Sequence, residues 1–238
     1  MLELSHIAFS YGRNLVLRDV SLAVDTGEAV ALAGANGTGK TTLLRIAAGI
    51  FLPDSGSVLS NGFNASGFPL RHRRSVGYAL ESDIPAEECT VKSFLKYRAS
   101  LKGERTARLR RRVLDVAALC GIEDVLDVPM PVLSRGNAKR VAIAEAMMMR
   151  PRHLLLDDPF ASLDPPARER VARSIAESRS HSAVVFAVHE FDSAVAAATR
   201  VAVLKDGVIA DDFPVASGMK AAEIAERVFR ASKEEPKP

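Results

Sequence analysis

Residues 34–41, Gly34-Ala35-Asn36-Gly37-Thr38-Gly39-Lys40-Thr41, spell GxxxxGK[ST], a pattern in which backbone wraps a phosphate. The glycines let the chain curl so that successive N–H groups and the amino end of a following helix converge on one anion. In that arrangement Lys40 reaches the β and γ phosphates of a nucleotide, the Thr41 hydroxyl ligates Mg²⁺, and Thr42 belongs to the same binding set. A second anchor lies more than a hundred residues on, where His153-Leu154-Leu155-Leu156-Asp157-Asp158-Pro159 ends an apolar run in two carboxylates. Parallel strands set their carboxyl ends side by side, so Asp157 is placed to hold Mg²⁺ opposite Thr41. Asp158 points another way and can position or deprotonate a water. The same two carboxylates also suit an acidic turn that caps the next helix.

Such groups need a scaffold, and the hydrophobic pattern supplies one. Leu2 and Leu4, Ile7 and Phe9, then Val20, Leu22 and Val24 alternate with polar residues as half-buried antiparallel strands do, with Tyr11-Gly12-Arg13-Asn14 as the turn. Residues 28–33 form a short apolar run suited to a fully buried strand, and residues 40–50 follow with helical spacing. The phosphate loop thus sits between strand and helix, the context its chemistry requires. Short strands are expected at 56–62 and 75–80, and from about 85 to 150 the pattern turns wholly helical, over 91–101, 104–119 and 138–149. Alternation then returns: strand 154–157, helix 165–179, strand 183–188, helix 191–198, strand 201–204. This predicts an α/β fold with a mixed, mainly parallel sheet, an N-terminal antiparallel β part and an inserted helical subdomain, all one domain over residues 1–231. The charged, proline-containing tail at 232–238 is expected to fray.

With these residues in place the chain resembles the ATP-binding cassette of ABC transporters, from about residue 2 to residue 213. Tyr11 falls where that family has an aromatic stacked on adenine. Leu133-Ser134-Arg135-Gly136-Asn137 falls where it keeps its LSGGQ signature, Ser162-Leu163-Asp164 matches its D-loop, and His189 its switch histidine. The resemblance implies two cassettes packed head to tail. Ser134 and Gly136 of one would then touch the γ phosphate held by the other, while His189 would bond that phosphate in cis.

Departures from the family pattern bear on catalysis. Glu81 stands where the family has a glutamine that touches Mg²⁺ and the lytic water; a carboxylate can ligate the metal but donates no amide hydrogen bond. Asp158 replaces the family's general-base glutamate and is one methylene shorter, and misplacement by about 1 Å can cost on the order of a hundredfold in rate. Arg135 and Asn137 replace a glycine and a glutamine of the signature. The implied function is an ATPase motor that drives a separate transmembrane permease subunit, slow if these changes tell. The wording Thr90-Val91-Lys92-Ser93-Phe94-Leu95 with Leu133-Ser134-Arg135-Gly136 looks exporter-like. Alternatives are a regulatory, weakly hydrolytic cassette and a non-transport soluble ABC ATPase.

Composition agrees with an ordinary globular chain. Of 238 residues 47% are hydrophobic and 26% charged, which excludes wholly disordered, collagen-like and coiled-coil classes. No run approaches the roughly 18 apolar residues of a membrane span, and Met1-Leu2-Glu3-Leu4-Ser5 has no signal layout. The expected location is therefore cytoplasmic, peripheral on the inner face of the cell membrane. Cys89 and Cys120 form no metal pair and read as packing residues. A net charge of +3 falls short of a dedicated nucleic-acid binder, and no nucleic-acid partner is expected. Two basic clusters, Arg71-His72-Arg73-Arg74 and Arg105, Arg108, Arg110, Arg111, Arg112, suit a solvated loop and an outer helix face. Attraction to anionic lipid, at about 1 kcal/mol per basic residue, is the other reading.

Overall fold

The computed structural model describes residues 1–79, 88–103 and 106–233. Strands β1 (Leu2–Tyr11) and β2 (Asn14–Val24) are antiparallel, with Leu2 opposite Val24 and Tyr11 opposite Asn14, as their shared alternation requires. Strand β3 (Ala29–Ala33) is buried along its whole length and leads into helix α1 (Lys40–Ala47). Strands β4 (Ser55–Ser60) and β5 (Phe63–Asn64), helix α2 (Pro69–Ser75) and strand β6 (Val76–Ala79) follow. Three helices come next, α3 (Val91–Leu101), α4 (Thr106–Cys120) and α5 (Arg135–Met147). The chain continues through β7 (His153–Leu156), α6 (Pro165–Ser178), β8 (Ala183–Ala187), β9 (Arg200–Lys205), β10 (Val208–Pro214) and α7 (Ala221–Lys233).

Among the described residues ten strands make one mixed sheet in the order β5-β4-β1-β2-β10-β9-β3-β8-β7-β6. Strands β9, β3, β8, β7 and β6 are parallel neighbours, while β1, β2, β4 and β5 pair antiparallel. Period-two alternation divides the core between the two faces of the sheet. Ala29, Ala31 and Ala33 of β3 join Leu154, Leu156, Val184 and Phe186 against helices α3 to α6, whereas Val30, Leu32, Leu155 and Val185 pack with Leu43, Leu44 and Ile46 of α1. Covering on both faces is why these central strands read as unbroken apolar runs.

The structure departs from the sequence reading at several elements. Residues 71–74, expected as a loop, lie in α2, where Pro69 occupies the first turn and its missing N–H costs nothing. Residues 191–198 form turns rather than the expected helix. Their amides split between a four-residue step (Val195 to Phe191, 3.0 Å) and a three-residue step (Ala197 to Ala194, 3.0 Å), and Thr199 N–H bonds Ala29 O instead, at 2.8 Å. Helix α5 starts at Arg135 and not at 138, because Ser134 caps it. Strand β10 and helix α7 went unread, and α7 carries regular structure to Lys233, past the expected boundary at 231. Cys120 is fully buried, and burial pushes its thiol up to about 12, which suits packing; Cys89 is half-buried against the same core. Glu81, Arg105 and the tail beyond residue 233 lie outside the described residues.

Candidate functional site

The site is built where β3 ends. Gly34 has φ 150°, and a Cβ there would stand 2.4 Å from the Leu204 carbonyl oxygen and 2.9 Å from Thr38 Oγ1, so only glycine lets the loop turn against β9. Gly39, with φ 103°, occupies the amino-terminal cap of α1, and a Cβ would meet Leu17 Cδ2 at 2.8 Å. Between these points Thr38 Oγ1 donates to Ala35 O at 3.0 Å and holds the curve through Asn36 and Gly37. Lys40 is 6% exposed and folds back over the loop, its Nζ donating to Gly34 O at 2.7 Å and Ala35 O at 2.9 Å. The amine therefore waits inside the curve that an anion would fill.

Across the loop, Thr41 Oγ1 donates to Asp157 Oδ1 at 3.1 Å. The expectation that these two groups face each other came from parallel-strand geometry, and β3, β8 and β7 supply it. A hydroxyl and a carboxylate are hard oxygen donors, the set Mg²⁺ takes while keeping waters and phosphate oxygens. Asp157 N–H is anchored to Ala79 O at 2.9 Å, and buried Lys139 of α5 donates to Asp157 O at 3.1 Å. Asp158 follows with φ 47°, a left-handed conformation uncommon for a residue other than glycine. Its carbonyl accepts from Ala161 N–H at 3.3 Å as the chain turns towards α6.

Tyr11 is 46% exposed and packs edge-on against Phe9 and Phe51, centroids 5.0 and 6.1 Å away, with its hydroxyl 3.3 Å from Thr42 Oγ1. An exposed aromatic fixed beside the loop is a ready stacking surface. Ser134 caps α5 by accepting from Asn137 N–H at 3.2 Å, and Gly136 packs under Ser162, where a Cβ would come within 3.1 Å of its carbonyl. Among the described residues Ser134 makes no hydrogen bond to the loop of its own chain. His189 is exposed just past β8, and its neighbour Glu190 pairs with Arg168 at 2.7 Å; Arg168 also donates to Leu163 O at 3.0 Å. Sequence reasoning passed over Lys139 and Tyr78. Burial and the nearby Asp157 carboxylate push the Tyr78 phenol up to about 12. Lys139 was legible only as the one basic residue on the inward side of a helix; Tyr78 gave no signal.

A fully buried parallel strand that feeds a glycine loop into a helix, with a carboxylate from another parallel strand facing the loop threonine, defines a P-loop NTPase. The sequence model of the ABC transporter family matches residues 17–161, more than half of the chain. The chain belongs to that family. It is 36% identical over 214 residues to the sulfate/thiosulfate import ATP-binding protein CysA of Bordetella bronchiseptica, covering 87% of this chain and 60% of that one. It is 34% identical over 215 residues to the Fe(3+) ions import ATP-binding protein FbpC of Yersinia pestis, covering 88% and 61%. The chain thus spans about 60% of the length of these curated relatives. Among solved structures, the ATP-binding subunit of an ABC transporter superposes with a TM-score of 0.86 at 26% identity, covering 96% of this chain and 99% of that one.

Proposed function

We propose that the chain is the ATP-binding and ATP-hydrolysing subunit of an ABC transporter, pairing with a second cassette around Mg·ATP and driving a separate transmembrane permease. The observation that carries the reading is the 3.1 Å contact between Thr41 and Asp157 across a loop whose lysine is already curled inward. One cassette over residues 1–231, with the helices between about 85 and 150 as an inserted subdomain, is part of the same proposal. Among the described residues no helix is long and apolar enough to cross a membrane, which fits a permease on another polypeptide, with this chain peripheral to the inner face of the membrane. The named relatives are import proteins and give no support to the exporter-like wording of the helical segment, so the proposal assigns no direction.

In this reading the adenine of ATP stacks on Tyr11. The phosphates displace the Gly34 and Ala35 carbonyls as partners of Lys40 and collect the backbone N–H groups of Gly37 and Gly39. Mg²⁺ would be held by Thr41 and Asp157, with Glu81 the further ligand that the family resemblance implies, and would supply positive charge against the phosphate oxygens. Asp158 accepts a proton from the attacking water while His189 bonds a γ oxygen. Water oxygen bonds the γ phosphorus, the bond to the β–γ bridging oxygen breaks, and ADP and phosphate leave. Ser134 and Gly136 of a second cassette close the site, offering the amino end of α5 to the γ phosphate.

A second reading, a weakly hydrolytic cassette, is favoured by Asp158: a carboxylate one methylene short on a left-handed backbone has little freedom to reach farther. Calorimetric titration tests the phosphate-loop assignment beneath both readings. Mg·ATP binding in the micromolar to millimolar range is expected, greatly weakened or lost in Lys40→Ala; unchanged affinity in that variant sinks the assignment.

A further inference from the structure

A large cavity lies at the opposite end of the sheet from the phosphate loop. It measures about 1140 Å³ and opens between α4, the carboxyl end of α5, and α6. A second cavity of about 300 Å³ opens beside α2, and Arg150 lines both. Gly27, Ser75, Arg152 and Ser180 on their walls each lie within a few residues before a parallel strand, whereas Gly34 and Asp157 follow the strands' carboxyl ends. These cavities therefore take no part in the site described above.

Their walls are strongly basic. Helix α4 contributes Arg112, α6 contributes Arg170 and Arg173, and the segment after it Arg179 and His181. Among the described residues, Arg71, Arg74 and Arg152 line the smaller cavity with no acidic residue beside them, while Asp115 and Glu177 are the acids of the larger. Eight arginines against two carboxylates exceed the net +3 of the whole chain, so positive charge is concentrated on this face. Among the described residues, Arg71, Arg74, Arg150, Arg152, Arg170 and Arg179 have no carboxylate within 4.0 Å, although Arg173 pairs with Glu169 at 3.2 Å. Helix dipoles offset the charge of Arg74, Arg150 and Arg179, which stand at the carboxyl ends of α2, α5 and α6, but not that of Arg170 in the middle of α6. Desolvation, with a contribution from the neighbouring Arg150 charge, holds the His181 imidazole below its ordinary value. Guanidinium groups present planar forks that pair bidentately with phosphate oxygens.

We propose that the two cavities form one site for a small anion bearing several phosphate groups, with Arg150 at the join. A single phosphate leaves most of this volume and charge unmatched, whereas pockets of roughly 300–1,000 Å³ hold cofactor-sized ligands. Such an anion bridges α4 and α5 on one wall to α6 on the other. The opposite ends of α5 and α6 begin at Ser134 and Asp164, so occupancy ties together the two helices that carry the signature and the D-loop. The site stands whether or not the chain hydrolyses ATP.

The test uses the full chain with its phosphate loop filled by a non-hydrolysable ATP analogue and Mg²⁺. Calorimetric titration with myo-inositol hexakisphosphate should show saturable one-to-one binding, weakened tenfold or more in the double variant Arg150→Gln/Arg152→Gln and in Arg170→Gln/Arg173→Gln. Arg230→Gln, an exposed arginine of α7 outside both cavities, should leave it unchanged. Thermal melts of each variant establish that it is folded. Co-sedimentation with vesicles containing phosphatidylinositol 4,5-bisphosphate, against phosphatidylcholine alone, separates the sources: capture that needs the same arginines assigns a polyphosphorylated lipid headgroup, and hexakisphosphate binding without capture assigns a soluble phosphate ester. No saturable binding of either probe, or equal weakening by Arg230→Gln, overturns the proposal and leaves diffuse surface charge.

Discussion

Asp158 and Gly34 are the residues at which single atoms decide the chemistry. Asp158→Glu carries the carboxylate one methylene nearer a water at the γ phosphate, so turnover should rise if reach limits the base. Asp158→Asn keeps the size and loses the basicity, so turnover should fall and nucleotide should be held longer. Steady-state phosphate release checks both; equal rates in parent and both variants would remove Asp158 from the reaction. Gly34→Ala forces a Cβ against Leu204 O at 2.4 Å and should cost more than the roughly 1–3 kcal/mol of positive-φ strain alone. Denaturant unfolding would read that loss, and a variant as stable as the parent would contradict the close approach. At this scale much was legible. The loop spelling dictates Lys40 and Thr41, and the strand-end rule pairs Thr41 with Asp157, because both follow from local geometry. Lys139 and Tyr78 were not, since their role depends on which face α5 and β6 present to Asp157.

Elements whose pattern repeats within the element were read almost to the residue: α3 begins and ends where the apolar spacing puts it, with Thr90 as cap. Those set by tertiary demands were missed. Residues 191–198 have helical composition, yet Thr199 must reach the Ala29 carbonyl to start β9, which cuts the segment short. One buried contact between elements makes a pH prediction. His153 of β7 is fully buried with Nε2 2.7 Å from Ser60 Oγ of β4, and burial, aided by nearby His72 and the amino terminus, holds its pKa down to about 4. The unfolded imidazole protonates near 6.5, so stability is full above that value and falls as pH drops towards 4. Every tenfold drop in proton affinity on folding corresponds to about 1.4 kcal/mol, giving a loss on the order of 3 kcal/mol. Urea unfolding at pH 7.5 and 4.5 checks this, and His153→Gln should flatten the slope.

On the scale of the whole molecule, the proposed function makes a single chain incomplete. Ser134 and Gly136 lie at the start of α5 beside Ser162, and in that proposal the γ phosphate they touch is held by a second cassette. The chain should run as a monomer without nucleotide and pair when ATP is held unhydrolysed, while Ser134→Arg, which sets a long cation at the helix end, should bind ATP and fail to pair. Size-exclusion chromatography in ATP distinguishes the two, and equal dimer in both would count against the shared site. The central claim, an ATP-hydrolysing subunit of the ABC transporter family, is tested most directly by steady-state phosphate release from Mg·ATP by the purified chain and its Lys40→Ala variant. Release by the parent should require Mg²⁺ and be lost in the variant; release at the parent's rate from Lys40→Ala would contradict the claim.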